Sequence, residues 1–357
     1  MPTRRTTLKL PLLGLPAFLA AQHRLAQAAT ARLALRGTEI VDPSGQPIVL
    51  RGWNWGHWAR SQAQDAAENA AQGANAVRIP LRWWGNYPGK GVDSRDDSAT
   101  ATAGINPANV KRLDEIVQAA SAAKLWIVLF FDSDCGQNGQ QPDQRGFCDG
   151  HNFWTDAQAK QKFIAAWRFV ASRYKDTPYL GLFEPLPEPN PHGSPPAQIK
   201  AFYAEVMAAI RAAAPGVPLL IGGRGYQALE VDEVYDPAWK DVVYTGNLFL
   251  HAKQRGADEA ALADFRERVK HLADFRTKHQ VPVFVQQVGV RSKEDPDRRA
   301  LKEMLQQLVA NRIGFTYWDY RGAGNPDEYS VIYQRGQDWV TKREWIDAIT
   351  PFFRQRG

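Results

Sequence analysis

The chain has 357 residues, 44% of them hydrophobic, with 28 glycines and 23 prolines, a composition that suits one large buried core and excludes a disordered or collagen-like chain. Its formal charge is +6, but Arg4, Arg5, Lys9 and Arg24 supply four of those charges with no acid among the first 28 residues, so the remainder carries +2. A charge that close to zero gives no electrostatic basis for binding nucleic acid or an anionic membrane.

Thr3-Arg4-Arg5-Thr6-Thr7-Leu8-Lys9 reads as a twin-arginine export pattern, ahead of a modestly apolar stretch from Leu10 to Ala21. Ala26-Gln27-Ala28 then offers a small-x-small cleavage site. Pro11, Gly14 and Pro16 interrupt the apolar stretch early, and a membrane span needs about 20 unbroken apolar residues. Residues 1–28 are therefore expected to be a removed signal peptide. Residues 29–357 are expected to be one domain, monomeric, without a membrane anchor, exported to the periplasm or secreted.

Arg32–Ile40 and Pro47–Arg51 flank the turn Asp42-Pro43-Ser44-Gly45-Gln46 and predict a short β-hairpin. Beyond it, apolar runs alternate with amphipathic stretches. Strands are expected at Val49–Gly52, Ala74–Ile79, Leu125–Phe131, Leu180–Leu186, Val217–Ile221, Val242–Leu250, Val281–Gln286 and Gly314–Trp318. Helices are expected at Gln62–Gln72, Ala108–Ala123, Asp156–Tyr174, Pro196–Ala214, Asp258–His279, Arg298–Asn311 and Glu344–Phe353. Eight buried runs, nearly all followed by a helix, predict a single (β/α)8 TIM barrel rather than an open doubly wound sheet. No phosphate-cradling glycine pattern follows the early strands. Gly222-Gly223-Arg224-Gly225 has the wrong spacing for one, so no nucleotide cofactor is expected.

The two cysteines, Cys135 and Cys148, share one polar loop. An oxidising periplasm predicts a disulfide there, worth roughly 3 kcal/mol if unstrained. Two free thiols are the alternative, because twin-arginine substrates fold before export. Two thiols thirteen positions apart lack the spacing of zinc sites, and His57, His151, His192 and His251 are scattered, so no metal is expected.

In a barrel, residues just past the strand C-termini line one mouth. Here those positions hold Trp53, Asn54, Trp55, His57 and Trp58, then Arg78, Trp83 and Trp84, then Asp132 and Asp134. Glu188 ends the fourth strand, His251 and Lys253 follow the sixth, Gln287 ends the seventh, and Trp318 and Asp319 end the eighth. Indole faces beside hydrogen-bonding groups suit sugar rings, which have apolar faces and hydroxyl rims. Trp53, Trp55, Trp84 and Trp318 are thus candidate platforms, and Arg78, Asp132, Asp134, His251, Lys253 and Asp319 candidate polar contacts. Trp126, Trp167 and Trp345 read as core. Glu188, between Pro187 and Pro189, is the candidate catalytic carboxylate. Glu184 lies on the same strand face, two layers lower, and reads as structural, paired with Arg78 or another inward arginine.

Taken in order, several segments resemble glycoside hydrolase family 5, the cellulase and mannanase family. They are Leu50-Arg51-Gly52-Trp53-Asn54, Asn75-Ala76-Val77-Arg78-Ile79-Pro80, Phe153-Trp154, Tyr179 to Pro189, His251 and Tyr317-Trp318. The resemblance runs from about Arg36 to the C-terminus and implies a TIM barrel, a retaining mechanism and a β-linked oligo- or polysaccharide as substrate. It implies Glu188 as acid/base, Arg78 as support for the nucleophile, His251 as a sixth-strand histidine and Trp318 as the platform under the sugar being cleaved. The chain departs from the family at Pro187, in place of an asparagine that binds the sugar 2-hydroxyl, at Asp132, in place of a histidine, and at Lys253, in place of a tyrosine. Above all, Gln287 stands at the nucleophile position, and an amide cannot form the glycosyl ester a carboxylate forms. Three functions follow as alternatives. One is hydrolysis with Asp132, Asp134 or Asp319 activating water or stabilising charge. The others are glycan binding without turnover, and transglycosylation in exopolysaccharide metabolism.

Overall fold

The computed structural model describes residues 32–56, 61–81, 99–131, 154, 156–189, 196–225, 227–250, 258–322 and 328–355. The first short strands, β1 (Ala34–Arg36) and β2 (Glu39–Val41), precede eight strands that close into a barrel. These are β3 (Arg51–Asn54), β4 (Ala76–Leu81), β5 (Trp126–Phe131), β6 (Leu180–Glu184), β7 (Leu219–Gly222), β8 (Val242–Phe249), β9 (Val283–Gly289) and β10 (Gly314–Tyr317). Every neighbouring pair is parallel, and the ring closes where β10 meets β3, with Phe315 opposite Arg51 and Tyr317 opposite Trp53.

A helix follows each barrel strand: α1 (Asp65–Ala71), α2 (Pro107–Ala122), α3 (Ala157–Tyr174), α4 (Pro196–Ala213), the single turn α5 (Val231–Val234), α6 (Glu259–His279), α7 (Arg299–Ala310) and α8 (Arg343–Ile349). A last turn, α9 (Pro351–Arg354), packs beneath β3. Local chemistry starts the longer helices. Asn106 caps α2 ahead of Pro107, Asp156 accepts from Gln158 and Ala159 at the start of α3, and Asp258 accepts from Ala261 at the start of α6. Helix α3 shows the resulting stripe, burying Phe163, Ile164, Trp167, Val170 and Tyr174 against the strands.

Because parallel strands are covered on both faces, two apolar layers form. The larger lies between strands and helices, and the smaller fills the lower barrel with Leu50, Ala76, Val128, Leu182, Leu220, Val243 and Phe284. The hairpin closes that floor through Leu33 and Ile40. Its strands pair one turn earlier than the sequence predicts, reversing at Gly37, whose φ of 56° is the left-handed conformation glycine adopts freely. The Asp42–Gln46 turn does form, with the Asp42 carboxylate accepting from Ser44 N–H and Gln46 N–H. It leads only to a single bridge between Val41 and Pro47, since proline has no N–H to extend a ladder.

After β10, β11 (Arg321–Gly322), β12 (Ile332–Arg335) and β13 (Asp338–Thr341) form a small sheet. Arg321 anchors it by a buried fork to Asp65 at the start of α1, with Nη2 2.7 Å from Oδ1 and Nε 2.8 Å from Oδ2. No described helix is long and apolar enough to cross a membrane.

Candidate active site

Above the apolar floor the barrel interior turns polar. Arg78 of β4 and Glu184 of β6 are both 0% exposed and meet in a fork, Nε to Oε2 at 2.6 Å and Nη2 to Oε1 at 2.8 Å. The Arg78 guanidinium also lies 3.5 Å from the centre of the Phe130 ring. Burial pushes the Glu184 carboxyl up, with Arg78 pulling the other way. Glu184 is thus a buried partner, as the alternation along its strand predicts. On the far side, Asn54 and Thr316 both donate to the Gln286 carbonyl, and Thr245 Oγ1 accepts from Gln286 N–H. On β3, β4, β6, β9 and β10 the even-numbered positions face the axis, and on β8 the odd-numbered ones do.

Glu188 stands one layer higher, half-buried, four residues past the end of β6. Strand β6 pairs with β7 at a single position, Phe183 with Leu219, so the segment beyond Glu184 has little ladder to hold it. Prolines at 185, 187 and 189 also remove N–H donors. Side chains replace the ladder. Trp167 Nε1 of α3 donates to the Pro185 carbonyl at 3.0 Å. The Tyr203 hydroxyl of α4 lies 3.2 Å from the Leu186 carbonyl and 3.0 Å from that of Gly222. Gln286 Nε2 of β9 donates to the Pro187 carbonyl at 2.6 Å. Asn247 Nδ2 of β8 then donates to the Glu188 carboxylate, Oε1, at 2.5 Å. Four successive residues are therefore gripped by donors from four different elements. Burial, reinforced by the Glu184 charge, pushes the Tyr203 phenol up, which keeps it a donor.

Gln287 lies directly opposite Asn247 in the β8–β9 ladder, where the register shifts by one residue. That bulge brings two consecutive glutamines toward the interior, Gln286 low and Gln287 at the mouth. Gln287 is 5% exposed, and its side-chain amide meets no partner among the described residues. Trp318 follows β10, half-buried, with its ring against Gly56. A Cβ on Gly56 would sit 1.9 Å from that ring, so only glycine admits the indole there. Phe249 and Tyr329, both half-buried, meet edge-to-face at 5.1 Å beside Gly289 and extend this wall.

Four expectations are corrected. Trp53 and Trp55 do not line the mouth. They are 0% and 1% exposed, on and just past β3 in the core beneath the helices, with Nε1 bonded to Gln72 at 2.7 Å and to Asn69 at 2.8 Å respectively. Neither offers a face to a sugar. Arg78 is 0% exposed, enclosed by Glu184 and Phe130, and offers no face to a glycan. Asp319 is fully buried and accepts from the Ser330 hydroxyl, so it is no base for a water at the mouth. Trp84, Asp132, Asp134, His251, Lys253, Cys135, Cys148 and residues 1–28 lie outside the described residues. Asn247 and Gln286 were missed by sequence reading. Their signal was a polar side chain on the inward phase of a buried strand, the same signal that exposed Glu184. No cluster of three or more His, Cys, Asp or Glu able to hold a metal occurs among the described residues.

The chain is 24% identical to a β-xylosidase of Phanerodontia chrysosporium, over 82% of this chain and 71% of that one. It is 25% identical over 161 residues to an endoglucanase of Paenibacillus polymyxa, of which it spans 36%. The endoglucanase Cel5A of Thermotoga maritima shares the barrel with a TM-score of 0.63 at 18% identity, over 84% of this chain and 96% of that chain. The model of the cellulase family, glycosyl hydrolase family 5, matches residues 41–324. This chain therefore belongs to glycosyl hydrolase family 5.

Proposed function

We propose that this chain is an exported glycosidase that cleaves O-glycosidic bonds of a β-linked glycan lying across the barrel mouth, with Glu188 as proton donor to the leaving oxygen. The observation that carries this reading is the grip on residues 185–188, where donors from α3, α4, β9 and β8 fix one half-buried carboxylate. Such preorganisation serves proton transfer, which fails when the acid is misplaced by an ångström. Trp318 supports the same reading as a platform beside it, with the fold's mouth as the cleft. The xylosidase and endoglucanase likenesses motivate the choice of β-glycans. The test is release of reducing ends from cello-, manno-, xylo- and chito-oligosaccharides by the protein and by Glu188→Gln. A loss of about 100-fold or more in the variant is expected. No turnover of any β-glycan, or an unaffected variant, refutes the assignment.

The amide at Gln287 favours a second reading, glycan binding without turnover. Calorimetric binding of an oligosaccharide with no reducing ends after long incubation would support it. The twin-arginine segment supports export, which N-terminal sequencing of a periplasmic fraction tests by cleavage after Ala28. In that compartment Cys135 and Cys148 form the loop disulfide, tested by the mass of the non-reduced protein.

A further inference from the structure

Glu188 can protonate a leaving oxygen, but it cannot also attack the anomeric carbon. Among the described residues the mouth offers it no second carboxylate, since Glu184 is locked to Arg78 below and Asp319 is buried against Ser330. What stands at the mouth instead is an amide. Gln287 is 95% enclosed, inward on β9 beside Asn247, and without a partner among the described residues. Pro187, just before Glu188, has its carbonyl taken by Gln286 and carries neither an N–H nor a side-chain donor to meet a sugar hydroxyl.

Where the described residues supply an acid but no nucleophile, the substrate can supply one. A 2-acetamido group does so, because its carbonyl oxygen reaches C1 from the face opposite a β-linked leaving group. It also needs orienting by one acceptor for its N–H and one donor for its carbonyl. A glutamine carbonyl supplies the acceptor for the N–H. The donor to the carbonyl must come from another group, because the N–H and C=O of a trans amide point opposite ways. We infer that this site hydrolyses β-linked 2-acetamido-2-deoxy sugars by neighbouring-group participation, with Gln287 orienting the acetamido group. The inference rests on Glu188 being the proton donor.

The steps balance without a co-reactant other than water. The acetamido oxygen forms a bond to C1 as the C1–O bond to the leaving group breaks. The leaving oxygen keeps that electron pair and takes the Glu188 proton. The positive charge left on the fused oxazolinium ring is spread onto its nitrogen, whose N–H the Gln287 carbonyl accepts. Water then attacks C1, giving its proton to the Glu188 carboxylate, and the C1–O bond to the acetamido group breaks, restoring the amide. Two displacements leave the configuration retained.

Chitohexaose and cellohexaose have the same β-1,4 backbone and differ at C2, so they are the matched pair. The expected result is cleavage of chitohexaose at least about 100-fold faster than cellohexaose, with the β-anomer appearing first by proton NMR. The thiazoline of N-acetylglucosamine, a stable mimic of the oxazoline, should raise the melting temperature of the protein. Gln287→Leu should lose that shift and about 100-fold in chitohexaose cleavage, with its own melting temperature in the absence of ligand showing that it folds. Cellohexaose cleaved as fast as chitohexaose, or the α-anomer appearing first, overturns the inference while leaving Glu188 as acid. Inversion would instead point to water activated by Asp132 or Asp134. Cleavage of neither substrate, nor of any other β-glycan, overturns this inference together with the function it rests on.

Discussion

Removing the three side-chain donors that hold carbonyls 185, 186 and 187 one at a time separates folding from chemistry. Trp167→Phe, Tyr203→Phe and Gln286→Leu each delete one donor while keeping an apolar side chain in place. In every case a buried carbonyl loses its partner, at 3.0, 3.2 and 2.6 Å respectively, and Tyr203→Phe strands that of Gly222 as well. A stranded buried acceptor costs about 1–3 kcal/mol, with Tyr203→Phe toward the upper end. With an m-value of about 3 kcal/mol/M in urea, the unfolding midpoint falls by about 0.3–1 M in each variant. The effect on rate should not be uniform. Pro185 is three residues from Glu188, Leu186 two, and Pro187 adjacent through one peptide. Freeing the Pro187 carbonyl lets that peptide rotate and carries the acid with it, and a displacement near 1 Å costs about 100-fold in rate. The expected order of loss in kcat/KM is therefore Gln286→Leu, then Tyr203→Phe, then Trp167→Phe, measured beside urea titrations of the same proteins. If rate losses follow stability losses instead of this order, the donors hold up the fold and do not aim Glu188.

Asn247→Asp places a like charge against Glu188 and raises its pKa, so the alkaline limb of the rate profile, where the acid loses its proton, should move up by about one unit or more; an unmoved limb refutes the contact. Trp53→Ala should cost about 3–5 kcal/mol in unfolding free energy with glycan affinity unchanged. Trp318→Ala should keep the melting temperature and weaken glycan binding by about tenfold in calorimetry. Burial raises the Asp114 carboxyl, but hydrogen bonds from Arg173 and Tyr174 prevail and hold it below its ordinary value. A folded pKa below the unfolded one stabilises above about pH 4 and fades as pH falls through the folded value. Asp114→Asn should accordingly lower the urea midpoint at pH 7 and match the parent at pH 2.

Reading the barrel from sequence works because each strand is a short apolar run followed by a helix with its own cap, as at Asp156 and Asp258. The phase of those runs is harder. A parallel strand is buried on both faces, so Arg51-Gly52-Trp53-Asn54 carries no alternation that says which side is inward. A mouth position for Trp53 fits that run equally well, but the outward one places it next to Tyr317, Tyr320 and Phe353. Charged residues gave the phase where they occurred. Glu184 needed an inward arginine, and Arg78 is the one it meets. Gln286 keeps the inward phase of Phe284, and the bulge between Val285 and Gln287 breaks the period of two only at Gln287. Asn247 lies inside β8, which ends at Phe249, whereas the family pattern points to His251 beyond the strand.

The seam between β10 and β3 has a consequence for how the protein is made. Strand β3 must wait for residues 314–317 before its free edge is covered, and its Arg51 guanidinium waits for the carbonyls of Phe352 and Gln355. A nascent chain with seven strands emerged holds an open, apolar, parallel edge, the kind that pairs with other chains. Ring closure thus awaits the last barrel strand, and the interval between synthesis of β3 and arrival of β10 is when a chaperone has the most to protect. Truncations ahead of residue 314 should collect in inclusion bodies, whereas changes at the mouth should leave yield intact.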